Sequence, residues 1–137
     1  MNTKTFTLPS LPPSINALYL IDRTGRRRHA SGKARVVYMA DGPRKWKSDM
    51  QMLIPRFEIA EDSLLSIGYV AFYPLFHHNG RRRKVDPSNL MKLLHDTICT
   101  RIGVDDSRVI KGSFEARDSQ EEKLEVTLWE ICSISHD

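Results

Sequence analysis

The chain has 137 residues, 40% apolar and 28% charged. These proportions suit one ordinary globular domain over 1–137 and exclude a disordered or low-complexity chain. Its formal charge of +4 is concentrated in Arg26-Arg27-Arg28 and Arg81-Arg82-Arg83-Lys84, the footprint expected of a polyanionic partner. Cys99 and Cys132 are the two cysteines and have no CxxC spacing, so neither a disulfide framework nor a zinc site has support.

Residues 4–8 alternate and carry β-formers, which predicts a short first strand. Pro9, Pro12 and Pro13 end it, and two of these prolines hold 11–19, Leu-Pro-Pro-Ser-Ile-Asn-Ala-Leu-Tyr, in an extended or turning path. Residues 22–35 read as an exposed basic loop. A helix is predicted from about Asp41-Gly42-Pro43, with Trp46, Met50, Leu53 and Ile54 at helical spacing, running to Pro55 or resuming just beyond it. Trp46 is read as core rather than as a platform for stacking bases.

Residues 64–76, with Ile67, Tyr69, Val70, Phe72 and Tyr73, predict a central strand. Pro87 to about Ile102 predicts a helix whose Leu90, Leu94, Ile98 and Ile102 recur every four residues, with Leu93 beside them and Gly103 as the stop. Residues 107–116 and 123–131 read as two strands joined by the polar turn 118–122. The order β, loop, α, β, α, β, β predicts an α+β fold, a small mixed sheet with two main helices packed on it. No apolar run approaches bilayer length and Met1–Pro9 lacks a signal core, so no membrane partner and a cytoplasmic location are expected.

Three polar features lie close in sequence: the basic run, the helix start Asp86-Pro87-Ser88-Asn89 with Lys92 one turn on, and Asp105-Asp106 beyond the helix end. Each has a purely structural explanation. Asp before Pro is a favoured helix start, Lys92 and Asp96 four apart make a solvated pair, and Asp105-Asp106 makes a turn. The alternative is chemical: phosphate-binding cations beside oxygen ligands for a divalent ion are what phosphodiester hydrolysis requires, with Lys92 neutralising charge as the phosphate reacts. The predicted helix is about 24 Å long, so Asp86 and Asp106 can share an ion only if 99–106 bends back or a second subunit contributes. His77-His78 is read as a surface pair, because neighbours on a strand point to opposite faces. Gly-rich phosphate loops, GxSxG and HExxH are absent from the sequence, so no small-molecule cofactor is expected.

Taken together, "LPPSINALY" (11–19), "DPSNLMKLLHD" (86–96) and "GVDDSRV" (103–109) resemble the RusA family of Holliday-junction resolvases, crossover junction endodeoxyribonucleases often carried by prophages. The resemblance implies a homodimer that binds branched, four-way DNA and cuts it in paired symmetric nicks during recombination and repair, using Mg²⁺ or Mn²⁺. The family pattern Asp-x-Asp-Asn, with a lysine three residues later, is matched by Asp86, Asn89 and Lys92, and its later aspartate by Asp106. Metal binding is thereby implied for Asp86, Asp106 and Asp105, and catalysis for Asp86, Asp106, Lys92 and Ser88. DNA contact is expected from Arg81, Arg82, Arg83, Lys84, Asn89, Arg26, Arg27, Arg28 and Asn16. Ser88 stands where the family has its middle carboxylate, and this weakens a cation site by one charge. A branched-DNA-binding protein that cuts weakly or not at all is therefore the second expectation.

Overall fold

The computed structural model describes residues 3–12, 19–21, 37–39 and 41–131. Strand β1 (Thr3–Leu8), a ribbon of β2 (Tyr19–Ile21) and β3 (Val37–Met39), helix α1 (Asp41–Leu53) and strand β4 (Leu64–Tyr73) come first. Helix α2 (Pro87–Ile102), a 3-10 turn (Asp106–Arg108), strand β5 (Val109–Asp118) and strand β6 (Lys123–Ile131) follow. The main sheet has the order β1-β6-β4-β5. β4 runs parallel to β5 and antiparallel to β6, and β6 runs antiparallel to β1. The sheet is mixed and the fold is α+β.

One face of this sheet makes the core. Alternation puts Leu65, Ile67, Tyr69, Ala71 and Tyr73 of β4, Leu124, Val126 and Leu128 of β6, and Phe6 and Leu8 of β1 on the buried side. Leu90, Leu93, Leu94 and Ile98 of α2 are fully buried, as the four-residue recurrence requires. From α1 come Trp46 and Met50, with Ile54 just past its end. Trp46 donates its indole N–H to Ser10 Oγ at 3.1 Å, so it is a core residue. Leu53 is 54% exposed, which corrects its expected burial: its spacing from Trp46 and Met50 fits the stripe, but it is the last residue of the helix. The helix stops at Leu53 and does not resume beyond Pro55.

The predicted strand 64–76 ends at Tyr73, since Pro74 has no N–H to give a ladder. The predicted strand 107–116 begins later, because 106–108 forms the 3-10 turn. β5 and β6 are joined by a polar turn, yet they do not pair; β4 lies between them. The turn crosses the end of β4, where Ser119 N–H donates to Tyr73 O at 3.1 Å and Leu75 N–H to Asp118 Oδ1 at 2.9 Å. The expected basic loop 22–35 lies outside the described residues. Among them no helix is long and apolar enough to cross a membrane.

Candidate nucleic-acid interface and acidic centres

Beyond β4 the chain makes a short arm. Phe76 bridges Arg82 in antiparallel fashion, Arg83 N–H donates to Leu75 O and His77 N–H to Arg81 O, both at 2.7 Å, and Gly80 N–H closes the tip onto His77 O at 2.9 Å. Gly80 takes φ +81°, a left-handed conformation that glycine adopts without strain. His77 and His78 thus sit in an exposed turn. Arg81, Arg82, Arg83 and Lys84 are all exposed. Arg81 and Arg83 line a groove on one flank, and Arg82, Arg83 and Lys84 line a second.

The arm feeds directly into α2. Asp86 caps that helix, its Oδ1 accepting from Ser88 N at 3.0 Å and Asn89 N at 3.4 Å, with Pro87 in the first turn. Asp86 and Ser88 are exposed and Asn89 is half-buried. Lys92 is exposed one turn after Ser88. The expected cationic run and the expected acidic helix start are therefore neighbours in space.

The second acidic centre lies at the other end. Gly103 ends α2 in the left-handed conformation, φ 72°. Asp105 then caps the 3-10 turn through Ser107 N–H at 2.8 Å. The Ser107 hydroxyl and amide hold the Asp105 carboxyl below its ordinary value. Asp106 is exposed, and its charge acts on His95 and Cys99 of α2. Burial lowers the His95 pKa while Asp106 opposes the shift.

Helix α2 runs unbroken for 16 residues, about 24 Å, between Asp86 and Gly103. The chain does not bend back to unite Asp86 with Asp106. Among the described residues, no three His, Cys, Asp or Glu side chains are grouped to hold a metal ion. The carboxylates are the hard oxygen donors that Mg²⁺ prefers, but one chain does not assemble them into a single site. Asn16, Arg26, Arg27, Arg28 and Cys132 lie outside the described residues.

The sequence model described as Endodeoxyribonuclease RusA matches residues 22–129. The chain belongs to the RusA endodeoxyribonuclease family. The match contains the stretches 86–96 and 103–109, while 11–19 precedes it. No curated protein matches the chain.

Several contacts near the family's acidic stretches escaped the sequence reading. Asp96 forms an ion pair with Lys47 of α1, a contact from 49 positions away. Tyr69 OH meets His95 Nδ1 at 2.5 Å. Arg108 reaches Ser63 O at 2.6 and 2.9 Å and Ala60 O at 2.5 Å, fixing the turn that carries Asp106 against the loop before β4. Buried Glu130 holds the same loop through Ala60 N at 2.8 Å and Ser63 Oγ at 2.7 Å. These contacts join residues far apart in sequence, and local pattern carries no signal for them.

Proposed function

We propose that this protein is a structure-selective endodeoxyribonuclease that resolves four-way DNA junctions by paired nicks, acting as a homodimer with Mg²⁺ or Mn²⁺. The observation that carries the reading is the continuity, in a RusA-family chain, of a cationic arm with the capped start of α2. Arg81, Arg82, Arg83 and Lys84 take the phosphates, and Asn89 lies where the strand would pass Asp86. Arg26, Arg27, Arg28 and Asn16 are proposed as further DNA contacts.

Asp86, Asp105 and Asp106 would hold the divalent ion, with the Ser88 hydroxyl as a weaker oxygen donor. Because α2 separates Asp86 from Asp106, the homodimer is proposed to bring the start of one α2 toward the Asp105-Asp106 turn of its partner. A bound divalent ion lowers the pKa of water and offsets phosphate charge. Lys92, on the face of α2 shared with Ser88, adds a positive charge for the phosphate under attack.

The test is cleavage of an immobile four-way junction in Mg²⁺ beside matched linear duplex. Paired nicks that disappear in Asp106→Asn, with junction binding retained, support the proposal; cleavage retained in that variant refutes the assigned role. Ser88 favours a second reading, a branched-DNA binder with weak or absent cleavage, because a hydroxyl replaces a charged ligand. Under that reading binding weakens steeply with salt, and nicks emerge only in Ser88→Asp.

A further inference from the structure

Phe76 is the only exposed Phe, Tyr or Trp ring among the residues whose side chains are described, with 53% of its surface open. It stands on the arm, and the arm is closed on both sides of it by backbone hydrogen bonds. Its exposure is therefore built into the scaffold. The ring borders both grooves, so it forms a ridge with Arg81 on one flank, Arg82 and Lys84 on the other, and Arg83 lining both. The larger groove, about 870 Å³, also takes His77 and His78, a size suited to groups as large as a nucleotide. Its one carboxylate, Asp118, already accepts a hydrogen bond from Leu75 N–H.

We propose that Phe76 is a stacking platform for an unpaired DNA base, with the phosphates on either side of that base held by the cations on the two flanks of the arm. The chemistry is selective. In a linear duplex both faces of each base are covered by its neighbours, and only edges are presented. A phenyl ring gains contact only with a base whose face is free, whereas the flanking cations bind phosphates of any DNA. The arm thus converts general affinity for DNA into preference for sites where stacking is broken, as at a branch point. The inference rests on the junction-directed reading above, and it names the feature of the substrate that is recognised.

The experiment measures equilibrium binding, in Ca²⁺ to prevent cutting, of the full chain and its Phe76→Ala and Phe76→Trp variants. The probes are an oligo(dT) strand, a duplex with unpaired thymines at its centre and a fully paired duplex. The unmodified protein should prefer unpaired thymines. Phe76→Ala should lower the ratio of unpaired to paired affinity about tenfold, Phe76→Trp should restore it, and the new indole should be quenched by oligo(dT). Unchanged melting temperatures establish that the variants are folded. An Ala variant with the parental ratio overturns the proposal, as does a Trp variant whose indole oligo(dT) leaves unquenched. The readout is independent of cleavage: stacking without nicks on four-way junctions would refute the nuclease reading and uphold this one, while nicks with an unaltered ratio would do the reverse.

Discussion

The hydroxyl of Tyr69, on the inner face of the sheet, meets Nδ1 of His95 on α2 at 2.5 Å. The same imidazole packs against Gly112 of β5, where an added Cβ would lie 3.1 Å from His95 Nε2 and 2.8 Å from Met91 Cε. One ring therefore links β4, β5 and α2 beside the Asp105-Asp106 turn. Tyr69→Phe removes the hydrogen bond but retains the ring. It should cost about 1 kcal/mol in urea unfolding; no loss would mean that His95 finds an equivalent partner.

His95 also sets a pH dependence. Burial lowers its pKa from the ordinary 6.5, and Asp106 partly opposes this. The unfolded chain thus binds more protons here than the folded protein once the pH falls below about 6.5. The stability contributed by the neutral ring is fully present above that pH and is lost as the pH falls toward the folded-state value. Urea midpoints followed from neutral to mildly acidic pH should decline in the parent, with a shallower slope in His95→Gln. Equal slopes would remove His95 from the account.

Cys99 is 2% exposed. Burial, reinforced by the carboxylates of Asp106, Asp96 and Asp105 and opposed by Arg108, pushes its thiol up to about 11. At pH 8 only about one thiol in a thousand is then ionised. In a Cys132→Ser background, a disulfide reagent should react with the unfolded chain and leave the native one almost untouched. Rapid modification of native protein would place Cys99 in a more open setting.

Arg108 braces the turn that holds Asp106. Arg108→Met keeps much of the stem and removes the donors to Ser63 and Ala60. Stability should fall by about 2 kcal/mol as those carbonyls lose their partner. Junction cleavage should decline further than the unfolded fraction accounts for. Arg108→Lys should recover only part of either loss, since lysine lacks the planar fork.

Helix α2 was legible because its information is local: Pro87 opens it, Leu90, Leu94 and Ile98 share its buried face, and Gly103 takes the left-handed stop. Asp86 was legible as a cap for the same reason. The placement of β6 was not. A short polar turn between strands reads as a hairpin connection, yet the α2 crossover sets β5 parallel to β4 and leaves the other side of β4 for β6. The Lys47–Asp96 pair and the Arg108 brace were hidden likewise, because each depends on where distant segments come to rest. Ser88 was visible at once as a departure from the family's pattern, but its consequence depends on chemistry that a motif does not contain.

The position of β6 carries a consequence for synthesis of the chain. β6 is translated after both β1 and β4, yet it sits between them in the sheet and joins the two; Thr5 and Thr127, whose side chains touch across that seam, are 122 positions apart. A nascent chain therefore carries β1 and β4 with open edges until β6 leaves the ribosome. Such unpaired edges invite association with other chains, and closing the sheet over so long a separation is slow. Ribosomal pausing before β6 would lengthen that exposure, so the yield of folded protein should depend on the translation speed of β6 more than on that of α2.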